Sequence, residues 1–211
     1  MADNETGSWW QQVTGEAIHG PMKGKRLKPV LMDEVSFGIW KAENPNGRVL
    51  QADPKFASQY EKADWESSYA KFPVVTQRDA KDILKPRDLI VGISINGKDR
   101  AYPTESLKQQ KGVLDEVGGT PIFIVAADDG KSIRVFDRRI EDKTLELFVK
   151  EGEALLVDAQ SGSKWNFSGL CVEGSSKGKQ LKQLPMLKDY WFDWKGYHPG
   201  TTIYTPGMRA N

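Results

Sequence analysis

The stretch at residues 89–102, LIVGISINGKDRAY, decides the fold class. An apolar run rich in β-branched residues ends at Asn96-Gly97, and a second extended run follows. Asn-Gly supplies the two positive-φ positions that a tight hairpin turn demands, so the stretch reads as two antiparallel strands. Downstream, Pro103 opens a short helix with Glu105 in its first turn. Residues 112–140, GVLDEVGGTPIFIVAADDGKSIRVFDRRI, add three strands with turns at Gly118-Gly119 and Asp128-Asp129-Gly130. Residues 144–162, TLELFVKEGEALLVDAQSG, add two more. Residues 89–205 therefore read as a complete, mainly β module, barrel-like or sandwich, with short helices near 104–110 and 189–197. Tyr102, Pro103, Gly169, Gly178, Trp194 and Pro199 are read as its structural residues.

The end of this module reappears at the other end of the chain. TGSWWQQVTGEAIHGPMKGKRLKP (6–29) matches SGSKWNFSGLCVEGSSKGKQLKQLP (161–185), and from residue 15 to 50 a constant offset of 154 gives 11 identities in 36 positions. The matches include Gly15 with Gly169, Gly20 with Gly174, Gly24 with Gly178, and Trp40 with Trp194. The pattern reads as an internal partial repeat. Each copy has a Ser-x-Trp element and a short strand (17–18, 171–172). A Gly-x-x-x-Gly turn needing positive φ follows, then a Leu-centred strand, a short aromatic helix ended by proline, and a last strand (48–50, 201–204).

The division expected is a partial module at 1–50, a Pro-punctuated surface linker at 51–88, the module at 89–205 and a tail at 206–211. The linker should hug the surface through Phe56, Tyr60, Trp65 and Tyr69. The partial module carries Trp9, Trp10, Ile18, Leu27, Phe37, Ile39 and Trp40, apolar surface that a lone fragment cannot bury. It should dock on the complete module while leaving a face for a protein partner or self-association.

Composition narrows the function. The 211 residues carry 30 Lys plus Arg against 29 Asp plus Glu, so no global field favours nucleic acid. The Lys23/Lys25/Lys28 and Lys177/Lys179/Lys182 stripes read as solvated strand faces rather than a nucleic-acid grip. Cys171 is the only cysteine and there are two histidines, His19 and His198. No disulfide, metal site or cofactor is therefore expected, and both histidines read as surface residues. No apolar run reaches the ~20 residues of a spanning helix. The opening residues have no basic or apolar segment of a signal peptide.

Through VGISINGKDRAYP, LDEVGGTPIFIV, RVFDRR and LVDAQSGSKW, then GKQL and HPGTTIY, the sequence resembles domain-of-unknown-function family 3179. The resemblance covers about 72–205 as a full pattern and 3–50 as the closing part of a second. Closing segments there read Asp-Arg-x-Thr-x-Ser-x-Trp-x-Gln, then Gly-x-Ala-Ile-x-Gly, which DNETGSWWQQVTGEAIHG resembles. On that resemblance Trp9 is the module-closing tryptophan. The family implies a β-rich, extracytoplasmic (periplasmic or cell-surface) protein within larger assemblies, and no activity. A Cys-x-x-Cys stretch common there is replaced here by AADDGKS at 126–132, so its thiol chemistry is absent.

Candidate ligand or partner residues are Asp137, Arg138, Asp158, Ser163, Trp165, Trp9 and Trp10. Arg138 beside Asp137 can clamp a carboxylate or phosphate, or pin a sheet edge. Ser163 has no histidine to activate it. The function expected is non-catalytic: a binding or structural subunit. The alternative is a hydrolase or redox-type site using Asp137, Arg138 and Asp158.

Overall fold

A computed structural model describes residues 1–28, 30–61, 64–74, 81–150 and 155–207. Parts of the expected linker (62–63 and 75–80), residues 151–154 and the tail from 208 lie outside the described residues. The chain divides into two compact units, Met1–Asp33 and Glu34–Asn211.

Unit 1 is built on one small antiparallel pair, β1 (Trp9–Trp10) and β2 (Ala17–His19). Trp9 lies opposite His19 and Trp10 opposite Ala17, so the register slips by one residue between the tryptophans. The strand expected around Leu27 is reduced to a single Glu16–Arg26 bridge.

Unit 2 begins with α1 (Phe37–Glu43), whose cap Ser36 accepts from the Ile39 N–H. Arg134 grips Glu43 through two parallel bonds of 2.6 and 2.8 Å, and the Ser36 N–H donates to Ser132 Oγ. These ties place 34–43 in unit 2, so the boundary falls at Asp33 rather than at residue 50. The strand expected at 48–50 does not form. A 3-10 helix (Pro54–Gln59) and α2 (Trp65–Tyr69) follow. Phe56, Tyr60, Trp65 and Tyr69 are each about half exposed, so the aromatic linker does not bury its rings as expected.

Three four-stranded sheets follow. The elements in order are β3 (Leu89–Ile95), β4 (Lys98–Pro103), α3 (Thr104–Gln110), β5 (Gly112–Val117), β6 (Thr120–Ala126) and β7 (Ile133–Asp137). A small hairpin comes next, β8 (Arg139–Ile140) and β9 (Lys143–Thr144). Then come β10 (Leu147–Val149), β11 (Leu156–Asp158), β12 (Lys164–Trp165), β13 (Cys171–Glu173), β14 (Lys182–Leu184), β15 (Leu187–Tyr190), α4 (Trp191–Tyr197) and β16 (Thr202–Ile203). The sheets have the orders β15-β3-β4-β16, β14-β7-β6-β5 and β10-β11-β12-β13. Each keeps two edge strands, so the fold is mainly β without the closed barrel that was one expectation. The β3–β4 turn uses Asn96 (φ 50°) and Gly97 (φ 74°), as the dipeptide dictates.

Period-two alternation explains the layering. From β6, Ile122, Ile124 and Ala126 join Val91 and Ile93 of β3 and Tyr102 of β4 in one core. Phe123 and Val125, on the opposite face of β6, join Phe136, Leu147, Leu156, Trp165 and Leu181 in a second. The two central strands of the middle sheet, β6 and β7, are thus buried on both faces, and β6 is accordingly a near-continuous apolar run. The outer face of the first sheet packs Ile90 and Ala101 against Trp191 and Trp194 of α4. Gly92 has no side chain because a Cβ there would collide with the Trp194 ring. Burying each such large apolar side chain contributes ~1.5–3 kcal/mol.

Candidate functional site

The first two sheets meet at a polar seam. On β4, Arg100 shares its face with the core residue Tyr102. On β5, Asp115 sits between the inward-facing Val113 and Val117. The Tyr102 hydroxyl donates to Asp115 Oδ2 at 2.8 Å. Arg100 Nε lies 3.0 Å from the same oxygen, yet it is buried and not aligned to donate a hydrogen bond. Burial first, and the Asp115 charge second, hold the Tyr102 phenol well above its usual range. Tyr204 stacks on Tyr102 with ring centroids 5.2 Å apart, and its hydroxyl donates to Gln110.

This seam forms one wall of an open cleft of ≈ 1130 Å³, which Arg138, Glu116 and Glu146 also line. Arg138 donates through Nη1 to the Leu145 carbonyl at 2.7 Å, while its Nε is buried without a hydrogen-bond partner. Burial pushes the Arg138 guanidinium below its usual range, against the opposing pull of Glu146, Glu116 and Asp115. A buried guanidinium N–H without a hydrogen-bond acceptor, as at Arg138, is uncommon in a cleft wall, because buried polar groups are nearly always paired.

Behind the first sheet, His198 is half-buried rather than on the surface. Its Nδ1 lies 3.3 Å from Asp99 Oδ1, its ring stacks on Trp194 at 3.8 Å, and its buried Nε2 has no partner. On β15 the Asp189 carboxyl is raised to about 6, chiefly by burial and further by Asp193.

The residues singled out from sequence go to three places. Asp137 accepts from Arg139 Nε at 2.9 Å and Nη2 at 2.6 Å. Burial raises its carboxyl, but these bonds outweigh burial and hold it below its usual value. Arg138, the next residue along, lines the cleft. Asp158 ends β11 of the third sheet, where the turn to β12 begins. The three carboxylate and guanidinium groups therefore answer to different partners and do not form a constellation. Among the described residues, no cluster of three or more His, Cys, Asp or Glu could hold a metal ion, and no helix is long and apolar enough to cross a membrane.

The Asp158 turn accounts for Ser163 and Trp165. Asp158 accepts from the Ser161 N–H at 2.7 Å, from Ser161 Oγ, and from Trp165 Nε1 at 3.1 Å. Ser161 Oγ meets Ser163 Oγ at 2.6 Å, and Ser163 Oγ accepts from the Ser176 N–H. Gly174 is pressed on Ser163, where a Cβ would approach to 2.5 Å. Unit 1 holds the same set. Asp3 accepts from the Thr6 N–H, from Thr6 Oγ1, and from Trp10 Nε1 at 2.8 Å. Thr6 Oγ1 meets Ser8 Oγ at 2.6 Å, and Ser8 Oγ accepts from the Met22 N–H. Trp10 therefore occupies the position assigned to Trp9. Trp9 is instead 58% exposed and packs against His19 at 5.4 Å.

A mainly β protein with a charge-lined cleft and a repeated Asp–Ser–Trp turn is the class the structure defines. The chain belongs to the family described as protein of unknown function, DUF3179, whose model matches residues 1–201. No curated protein and no solved structure is significantly similar to it. Sequence reasoning did not single out Arg100, Asp115 or Glu146. The available signal was phase: Arg100 is in step with Tyr102, and Asp115 with Val113 and Val117, so both charges fall at inward positions of their strands.

Proposed function

We propose that the protein is a non-catalytic binding module whose cleft holds a small polar ligand. The observation that supports this is a cleft lined by Arg100 and Arg138 together with acids, in which the Arg138 Nε has no hydrogen-bond acceptor. A carboxylate or carbonyl oxygen is the group it is built to receive. Charge balance narrows the class. Four acids (Asp99, Asp115, Glu116, Glu146) line the cleft against three bases (Lys98, Arg100, Arg138). A polyanion gains no net attraction there. A neutral or zwitterionic ligand does better, with carbonyl oxygens for the arginines and N–H or O–H donors for Glu116 and Glu146. Peptide-like molecules have that composition.

The extracytoplasmic setting and the membership of a larger assembly remain part of this proposal and rest on the family resemblance. So does the internal duplication, which the matching hydrogen bonds of the two turns support. The test is a thermal-shift and calorimetry panel of amino acids, short peptides, sugars and polyphosphates. Carbonyl-bearing zwitterions should stabilise the protein, and Arg138→Gln should weaken binding about tenfold, the loss of one charge-assisted bond. Stabilisation by polyphosphate alone, or binding unchanged in Arg138→Gln, would overturn the reading.

A further inference from the structure

The cleft contains an open sheet edge. β5 ends the order β14-β7-β6-β5 and pairs with β6 alone. The Ala126 N–H donates to the Lys111 carbonyl at 2.8 Å, and the Arg138 N–H to the Pro121 carbonyl at 3.0 Å. These two bonds fix the phase of the ladder. Val113, Asp115 and Val117, opposite Ile124, Ile122 and Thr120, direct their backbone groups to β6, and Leu114 and Glu116 turn theirs away from it. Asp115 Oδ1 takes the Glu116 N–H at 2.8 Å. Among the described residues, the Leu114 N–H and C=O and the Glu116 C=O find no hydrogen-bond partner. Leu114 is 44% exposed and lines the cleft with Asp115, Glu116 and Val117. An unpaired row of this kind is a template for another strand.

The side chains beside the edge select the occupant. Leu114 lies opposite Phe123, a member of the second core, and Glu116 follows it on that face. Arg138 is on the same side, bonded to the carbonyl of Leu145 in that core. Its Nε lacks an acceptor, and Glu116 and Glu146 line the cleft around it. A carboxylate placed there meets both glutamates, and an ammonium meets the guanidinium. A primary carboxamide suits all three, with a carbonyl oxygen for Arg138 and an NH2 group for a glutamate. A second copy of this chain fits poorly. The only charges on β5 are Asp115 and Glu116, so pairing two such edges sets acids against acids. We infer, resting on the reading of the cleft as a site for peptide-like ligands, that the ligand binds as an added antiparallel β-strand: an extended peptide that hydrogen-bonds the open edge of β5 and turns an asparagine or glutamine side chain to Arg138. Antiparallel pairing uses the groups that are free. A residue opposite Leu114 exchanges both bonds with it and carries its side chain on the Arg138 side, and the residue two places earlier gives its N–H to the Glu116 carbonyl. Parallel pairing would need the Glu116 N–H, which Asp115 holds.

The probe is the blocked pentapeptide acetyl-Val-Thr-Gln-Thr-Val-amide, added to the full chain. Saturable one-to-one binding by calorimetry is expected, with hydrogen exchange at the Leu114 amide slowed about tenfold or more. Methylating the backbone nitrogen of the glutamine should weaken binding about tenfold. Methylating that of the threonine before it, which points away from β5, should change binding by less than about threefold. Replacing the glutamine by glutamate or alanine should also weaken binding about tenfold, and Arg138→Gln should abolish that preference. Absence of saturable binding, or indifference to which nitrogen is methylated, overturns the inference. If single amino acids nevertheless bind and lose affinity in Arg138→Gln, the cleft remains a ligand site and only the added strand is refuted. Protection of the Leu114 amide that rises with protein concentration and needs no peptide also overturns it, because the occupant would then be a second copy.

Discussion

Residues 3–10 and 158–165 make the same turn with the same hydrogen bonds, but one is a surface feature and the other is the floor of a core. In both, an aspartate gathers a backbone N–H, a hydroxyl and an indole N–H, and a serine is clamped beneath a glycine of positive φ. The difference lies above the turn. Trp165 is fully buried beneath β6, β7 and β10, whereas Trp10 is half-buried and Trp9 exposed. A short Asp-x-x-Ser/Thr-x-Ser-x-Trp pattern is thus enough to specify local geometry. The energetic weight of its tryptophan is set by the layers around it.

The largest expected effect tests that separation directly. Trp165→Ala empties a fully enclosed site and should cost ~3–5 kcal/mol, and it also strands Asp158, which loses an indole donor. Trp10→Ala removes the same side chain from a half-buried place and should cost under ~1 kcal/mol. Parallel chemical denaturation of the two variants measures both. Equal losses would show that the unit 1 tryptophan is covered as fully as its counterpart.

A second comparison sharpens the claim that the turns themselves are alike. Gly174 (φ 102°) and Gly20 (φ 91°) both lie against the clamped serine, where a Cβ would approach to 2.5 and 2.8 Å. Alanine at either place meets positive φ and backbone contact together. Gly174→Ala and Gly20→Ala should each destabilise their own unit by ~1–3 kcal/mol. Hydrogen exchange at Ser176 and Met22, whose N–H groups bond those serines, reads each unit separately. Fast exchange at one site and none at the other would separate the two turns.

How much of this was legible beforehand depends on whether the information was local. Asn96-Gly97 fixed a hairpin, Pro103 a helix start, and the paired glycines the positive-φ turns, because each acts through its own backbone preference. The 154-residue offset in sequence pointed to both stretches that form the turn, although the register slip at Trp9 and Trp10 hid which indole reaches Asp3. Nothing local marked Glu43 as the partner of Arg134, and that pair is why 34–43 belongs to unit 2. The cleft was missed for the same reason. Arg100 and Asp115 look like ordinary surface charges until β4 and β5 are brought face to face, and only their phase with Tyr102, Val113 and Val117 betrayed them. Asp137, Arg138 and Asp158 stood out by residue type. β7 ends at Asp137 and Arg138 lies in the break before β8, where it turns to the Leu145 carbonyl while Asp137 holds Arg139, which separated the first two.

The smallest effect concerns the charge at the centre of the unit 1 turn. The Trp10 indole N–H first, and the Thr6 N–H and hydroxyl next, hold the Asp3 carboxyl down at about 2, against an ordinary 3.8. All three partners donate to the ionised form, and a group whose folded pKa is depressed stabilises the fold only while it is ionised. Its contribution is therefore complete above about 3.8 and drains away as pH falls through about 2. Because Asp3 is solvated, the change in overall stability is slight, and the carboxyl itself is the better reporter. An NMR titration of the Asp3 side chain should show a midpoint near the acid limit, with the Trp10 indole proton shifting in step. Trp10→Phe keeps the ring but removes the strongest donor, and should move the midpoint back towards 3.8. A midpoint already at the ordinary value in the native protein, or one unmoved by Trp10→Phe, would mean that the hydrogen-bond set shared with Asp158 does not persist in unit 1, and the likeness of the two turns would then be one of sequence alone.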